Sequence, residues 1–92
     1  MDERYISIEE CCSHYSIETD FIEALEEHGL LSFVKTESAV QLSFNQLPHL
    51  ERCIRLHYDL DINYPGMVAI EHLLEQVHEL QAEMRRLRGL DI

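Results

Sequence analysis

Apolar residues recur at helical spacing through the first part of the chain and predict two short helices. Ser7 and Glu10 have the spacing of a capping box, so we expect the first helix to begin after Ser7 and to run to about His14. Farther on, apolar side chains three and four positions apart predict a second helix over residues 18–28. Gly29 occupies the place of a C-terminal cap. The predicted order is therefore helix, turn, helix.

The pattern then becomes typical of strands. Residues 30–34 and 39–42 are two β-prone runs, and the polar residues 35–38 between them suit the tip of a small hairpin. Ser43 opens a second capping box, and the apolar spacing that follows it predicts a third helix over residues 45–58. We therefore expect a hairpin between the second and third helices.

A long last helix is predicted after residue 62. Asn63 can cap its N-terminus, and Pro65 suits the first turn, where a backbone N–H has no helical partner. Apolar residues within this helix step by alternating threes and fours, which is the spacing of a coiled-coil seam. The positions that we predict to mediate oligomerisation are Ile70, Leu73, Val77, Leu80, Met84 and Leu87.

A helix that docks on its own core gives nearly the same pattern as a coiled-coil seam, so both interpretations stay open. Two observations favour a partner helix for the later part. The apolar stripe stays narrow beyond Val77, and the helix is longer than a core of this size can cover. The partner would be a second copy of the chain, giving a homodimer, or a different protein.

Charge narrows the range of partners. The 92 residues include 18 Asp and Glu against 7 Lys and Arg, a formal net charge of -11. Because nucleic-acid binding depends on Lys and Arg that neutralise phosphates, this balance disfavours nucleic acids and anionic membranes. The hydrophobic fraction of 46% is close to the globular average, so we expect one small folded unit.

The N-terminus and the cysteines favour a cytoplasmic protein. The first residues lack the basic start and apolar run of a signal peptide, and no apolar segment approaches the roughly 18 residues of a membrane helix. Cys11, Cys12 and Cys53 are odd in number, and the adjacent pair could form a disulfide only with a strained backbone. We therefore expect reduced thiols.

No motif in the sequence supplies catalytic or cofactor chemistry. GxSxG, P-loop and GxGxxG patterns are absent. Residues 59–63 begin like a calcium loop, but Tyr64 and Ile70 occupy the positions that need Gly and Glu. Cys53 and His57 share a helix face without forming a CxxC or HExxH motif. We expect a protein that is not an enzyme, with no catalytic residues, metal or cofactor.

The predicted elements have the order of a winged helix-turn-helix, in which the second helix normally enters the DNA major groove. Residues 5–10, residues 25–31 and the long last helix resemble the MerR-like class. The second helix, however, has no Lys or Arg and carries five carboxylates, on Glu18, Asp20, Glu23, Glu26 and Glu27. Because a groove-binding helix needs donors for phosphates and guanine, these acids favour a protein partner with a basic surface.

A second resemblance is more specific. Residues 55–66, with the sequence RLHYDLDINYPG, and the apolar residues that follow look like the hallmark segment of the bacterial chaperone-modulator family, the CbpM type. Residues 8–11 and 27–30 are similar to two further stretches of that family, so the likeness extends over nearly the whole chain. The resemblance implies a small adaptor that binds the J-domain of a DnaJ-like co-chaperone of the CbpA type. The adaptor would restrain that co-chaperone in stimulating Hsp70 and, where the co-chaperone binds DNA, in binding DNA.

The residues give that implication a physical basis, because J-domains present a basic helix beside the loop that engages Hsp70. We predict that Asp20, Glu23 and Glu27 make electrostatic contacts with this helix and mask it. The apolar anchors are predicted among three aromatic residues, for each of which core packing is the competing role: Tyr15, Phe21 and Tyr58. The alternatives are a MerR-like DNA-binding transcriptional regulator and a purely structural dimerisation module.

These observations predict a mainly α fold of the MerR-like winged helix-turn-helix type, with a small β-hairpin wing and a long C-terminal helix. We assign residues 1–63 to the winged domain and residues 64–92 to the amphipathic C-terminal helix.

Overall fold

The structure of the protein is a computed structural model that describes residues 4–90. It is mainly helical, with a small antiparallel sheet and a long C-terminal helix, which confirms the predicted fold class. Its strands are β1 (Tyr5–Ser7), β2 (Phe33–Lys35) and β3 (Val40–Ser43). Its α-helices are α1 (Ile8–Tyr15), α2 (Thr19–Glu27), α3 (Leu47–Ile54) and α4 (Tyr64–Leu90).

The predicted caps of the first two helices are present. The Ser7 hydroxyl accepts a hydrogen bond from the Glu10 backbone N–H at 3.1 Å and so begins α1. Gly29 has a φ of 76°, a left-handed conformation that costs glycine little, and it ends α2. The Leu30 N–H then donates to the Leu25 carbonyl at 2.8 Å and closes the turn. These caps fix where the chain enters α1 and where it leaves α2.

The sheet has one more strand than the sequence predicts. The expected hairpin is formed by β2 and β3, and β1 adds to its other edge, giving the order β1-β3-β2. Leu42, at the centre, is fully buried and lies opposite Ile6 on one side and Phe33 on the other. A three-residue strand that runs directly into a helix cap shows too little alternation to be predicted.

The segment predicted as the third helix contains three successive types of helix. A 3-10 turn at Phe44–Gln46 leads into α3, and a wider π-helical turn follows α3 at Arg55–Asp59. The Ser43 hydroxyl accepts from the Asn45 N–H at 3.4 Å rather than from the residue after it, which suits the tighter first turn. Asp61, two residues after the wide turn, has a left-handed φ of 54°.

The first two turns of α4 pack on the rest of the fold, and the remainder projects away from it. The Asn63 side-chain oxygen accepts from the Gly66 N–H at 2.8 Å, confirming the predicted cap. Met67 is fully buried, and Glu71 is 8% exposed. From residue 75 onward every described side chain is exposed. The radius of gyration is 16.1 Å, against about 12 Å for a compact chain of this length.

Candidate partner-binding surface

The outer side of α2 is an acidic face formed by Asp20, Glu23 and Glu27. All three side chains are exposed, and they lie within about 60° of one another around the helix axis. The opposite side of α2 is buried in the core through Phe21, Ile22 and Leu25. The carboxylate of Asp20 lies in the first turn of α2, where it is favourable to the helix dipole, but that of Glu27 lies in the last turn and opposes the dipole. Helix stability therefore does not explain Glu27.

A groove between the wing and the first two helices continues the acidic face. We call it the wing groove. Three carboxylates from three separate elements line it, those of Glu9 on α1, Glu23 on α2 and Glu37 at the wing tip. Its other lining residues are Ser7, Ile8, Thr19, Phe33, Thr36, Ser38, Ala39 and Val40. The groove thus combines apolar side chains with carboxylates, and none of its described lining residues is Lys or Arg.

Sequence reasoning missed Glu9 and Glu37 as members of this surface. They are far apart along the chain, and only the packing of the wing over the start of α1 brings them together. The signal that could have found them is the order of the elements, since a wing that follows a helix-turn-helix lies beside it.

The π-helical turn brings His57 and Tyr58 against the buried side of α2. Their ring centroids lie 4.7 and 5.1 Å from that of Phe21. Tyr64, from the start of α4, stacks on His57 at 5.5 Å with an angle of 10° between the rings. The His57 Nδ1 atom is buried and has no hydrogen-bond partner among the described residues. Through this aromatic cluster, α2 packs against the segment between α3 and α4.

The prediction that Phe21 contacts a partner is corrected by this cluster. Phe21 is 4% exposed and packs in the core, because α2 turns its apolar side inward and the wide turn covers the ring. A partner cannot reach it without unfolding the site. Phe21 therefore packs in the core, which was the alternative to a contact with a partner.

Tyr58 has a different position in the same cluster. It is 51% exposed, so a partner can contact it. Burial of part of the ring raises the pKa of the Tyr58 hydroxyl, and the negative charge of Glu18 raises it further. Glu18 precedes α2, so Tyr58 lies at the N-terminal end of the acidic face. It gives that end an exposed aromatic side chain.

Tyr15 lies apart from the acidic face. Its hydroxyl donates to the Glu51 carboxylate on α3 at 2.8 Å, and its ring is half-buried. Burial, followed by the bond to Glu51, raises the pKa of Tyr15 to about 12. The ring lines a separate groove with Ile6, His14, Phe44, Leu47 and Glu10. The structure therefore does not bring Tyr15 together with Asp20, Glu23 and Glu27.

The predicted oligomerisation seam is exposed along most of α4. Ile70 is half-buried, while the five later positions are between 45% and 60% exposed: Leu73, Val77, Leu80, Met84 and Leu87. Large apolar side chains at regular helical spacing are costly to leave in water.

Within residues 4–90, no group of three or more His, Cys, Asp or Glu side chains converges in a way that could hold a metal ion. Cys11 and Cys53 are fully buried, and burial raises the pKa of each thiol to about 11. In the same part of the chain, no helix has the length and apolar character that crossing a membrane requires.

A known family of helix-turn-helix proteins matches this chain, in agreement with the order of its elements. The family model described as MerR HTH family regulatory protein matches residues 6–89, which include α1, α2, the wing and nearly all of α4. The chain belongs to the MerR HTH family. No curated protein matches it. In a MerR-family domain α2 has the position of the recognition helix, so the acidic face lies where such a fold would meet DNA.

Proposed function

We propose that this MerR-family protein is a non-enzymatic chaperone modulator. It binds the J-domain of a DnaJ-like or CbpA-like co-chaperone and inhibits its stimulation of Hsp70 by masking. The observation that carries the proposal is the acidic face of α2. The resemblance of residues 55–66 to the CbpM family names the partner class.

Electrostatics supports a basic protein surface as the ligand. Every exposed charged side chain on α2 is a carboxylate, and two more carboxylates line the wing groove beside it. DNA would bring a dense array of phosphates to this surface, and like charges held together across an interface cost several kcal/mol. A basic helix such as that of a J-domain would meet opposite charge instead. Such complementarity mainly raises the association rate and selects the partner.

Apolar contacts are needed to hold the complex, because rim charges alone contribute little affinity. The described surface offers them at two places next to the acidic face. Tyr58 stands exposed at one end, and Val40 is 41% exposed in the wing groove. An amphipathic basic helix could set its apolar side against these residues and its Lys and Arg against the carboxylates. In that position the J-domain face that Hsp70 needs is covered.

Calorimetric titration of the purified protein with the J-domain of a co-chaperone from the same genome tests the proposal. We expect saturable binding that weakens as salt is raised. Glu23→Lys/Glu27→Lys should weaken binding at least tenfold. The matched control is Glu75→Lys/Glu79→Lys, which places the same charges at the same spacing on an exposed part of α4. No binding at low salt would overturn the proposal, and equal losses in both variants would overturn the assigned surface.

A functional readout separates masking from mere binding. The protein should lower the J-domain-stimulated ATPase rate of Hsp70 and leave the unstimulated rate unchanged. Binding without loss of stimulation would show that the covered face is not the one that Hsp70 uses.

A MerR-like DNA-binding regulator is the second candidate, because the family model that matches residues 6–89 describes a regulatory protein. Its test is a gel-shift assay with genomic fragments at moderate salt. A retarded complex that Glu23→Lys/Glu27→Lys leaves unchanged would support a DNA-binding surface elsewhere on the fold. The proposed function predicts no such complex.

A further inference from the structure

The groove that Tyr15 lines is separate from the acidic face and shares no lining residue with the wing groove. We call it the Tyr15 groove. One wall is α1, with Glu10, His14 and Tyr15, and the other is formed by Phe44 and Leu47 at the start of the 3-10 turn and of α3. Ile6 of β1 also lines it. Its volume is about 350 Å³, and its lining is mainly apolar and aromatic with few polar groups, as in sites that bind small groups.

The walls of the Tyr15 groove are held in place without a ligand. The Tyr15 hydroxyl donates to the Glu51 carboxylate at 2.8 Å, and this bond joins α1 to α3 beside the groove. Phe44, on the opposite wall, is 42% exposed, which is costly for so large an apolar ring. A group that entered the groove would cover this ring, and little rearrangement would oppose its binding.

Charge around the groove favours a cation as that group. The Glu10 carboxylate lies in the lining and is exposed, and the exposed Glu51 carboxylate keeps acceptor sites beyond its bond to Tyr15. None of the described lining residues is Lys or Arg. Arg4 lies next to Phe44, whose N–H donates to the Arg4 carbonyl at 2.9 Å, but the Arg4 side chain is exposed and solvent screens its charge.

We infer that the Tyr15 groove binds an arginine side chain of a partner protein. The apolar stem of an arginine can lie along Ile6 and Leu47 while its charged head stays near water. The planar guanidinium can stack on an aromatic ring of the groove and donate to the Glu10 carboxylate, a combination that the ammonium of lysine cannot reproduce. The inference does not rest on the proposed function, because this groove is separate from the acidic face.

Titration of the isotope-labelled full chain with N-acetyl-arginine amide, followed by two-dimensional NMR, tests the inference. We expect saturable shifts of the Tyr15, Phe44 and Glu10 signals, with a dissociation constant on the order of 1 mM for so small a probe. The citrulline derivative has the same length but a neutral head, and it should bind about fivefold more weakly. The lysine derivative should bind about threefold more weakly.

Two results of this titration would overturn the inference. Equal binding of the citrulline derivative would show that the groove accepts a side chain without regard to charge. Shifts confined to Glu23 and Glu27 would show that the probe is attracted to the acidic face alone.

Variants of the groove provide an independent readout in the same titration. Glu10→Gln and Phe44→Leu should each weaken binding of the arginine derivative about threefold, the first by removing the charge and the second by removing the ring. The matched control is Glu9→Gln, which makes the same change at the neighbouring carboxylate in the wing groove and should bind as the wild type does. All three positions are exposed, so the variants should stay folded, which circular dichroism can check. Equal losses in Glu9→Gln and Glu10→Gln, or no loss in Phe44→Leu, would rule out the assigned site.

Discussion

Arg52 on α3 donates two hydrogen bonds to Glu71 on α4, from Nε at 2.7 Å and from Nη2 at 2.9 Å. His49 completes the group, with Nε2 at 3.2 Å from the Glu71 carboxylate and Nδ1 at 3.1 Å from the Arg52 guanidinium. Glu71 is 8% exposed, and a buried carboxylate needs such partners. This ion pair holds the long helix against the winged fold.

Loss of the Arg52 side chain should loosen that attachment. Arg52→Ala leaves Glu71 buried without its main partner, and removing one member of a buried pair typically costs 3–5 kcal/mol. Because the Arg52 side chain is 32% exposed and solvent screens it, we expect the free energy of unfolding to fall by about 2 kcal/mol. Urea denaturation measures the change.

The matched control is Arg86→Ala, which removes the exposed pair with Glu83. Exposed ion pairs contribute little, so its free energy of unfolding should change by less than about 0.5 kcal/mol. A loss in Arg52→Ala no larger than this would contradict a stabilising role for the buried pair.

Gly66 is required by the close approach of the chain at the start of α4. A Cβ at this position would lie 2.8 Å from Ile62 Cγ2 and 3.0 Å from the Asn63 oxygen that caps the helix. Gly66→Ala should therefore lower the free energy of unfolding by about 1–2 kcal/mol, because the strain exceeds the gain in helix propensity. Gly89→Ala, with nothing within 4 Å of the added atom, should be neutral or stabilising by less than about 1 kcal/mol. Thermal unfolding of both variants checks the contrast.

The elements of the fold were largely predictable because their signals are local. Ser7, Gly29 and Asn63 mark helix ends through bonds to neighbours in sequence, so the sequence alone locates them. Strand β1 and the π-helical turn depend on contacts with distant residues. The wide turn places His57 and Tyr58 against Phe21, which lies more than 30 positions earlier in the chain. No local sequence pattern predicts such a contact.

The part of the candidate site that lies on α2 could be predicted, because helical periodicity determines which side of that helix is exposed. Asp20, Glu23 and Glu27 follow from spacing, since the core side of α2 is evident from its apolar residues. The environment of an aromatic side chain is not set by spacing. Phe21 is buried in the core, and Tyr58 is exposed. Tyr15 is hydrogen-bonded to Glu51. These environments differ because each ring contacts different neighbours in the folded chain.

Stability should fall as the solution is made alkaline, in part because of two buried thiols. Burial raises the pKa of Cys11 and Cys53 from 9.0 to about 11. Between pH 9 and 11 the unfolded chain therefore loses these protons while the folded chain keeps them, and the equilibrium shifts toward unfolding. Each thiol should contribute up to about 1.4 kcal/mol per pH unit in that window and nothing below it. Urea denaturation in reducing buffer across this range measures the slope.

The control for the alkaline slope is Cys11→Ala/Cys53→Ala. This variant is expected to start from a lower stability, because it shortens two core side chains, and to show a shallower fall above pH 9. An unchanged slope would assign the loss to other groups.

Two tyrosines distinguish the proposed binding surface from the separate groove that Tyr15 lines. Tyr58→Ala should weaken J-domain binding about tenfold, the effect expected for an aromatic anchor at an interface. Tyr15→Phe should leave binding unchanged and lower the free energy of unfolding by about 1 kcal/mol, because it removes the hydrogen bond to Glu51. Titration calorimetry and urea denaturation of both variants give the two readouts. If Tyr15→Phe weakened binding while Tyr58→Ala did not, the partner would contact the groove beside Phe44 and Leu47, and the acidic face would lose its assigned role.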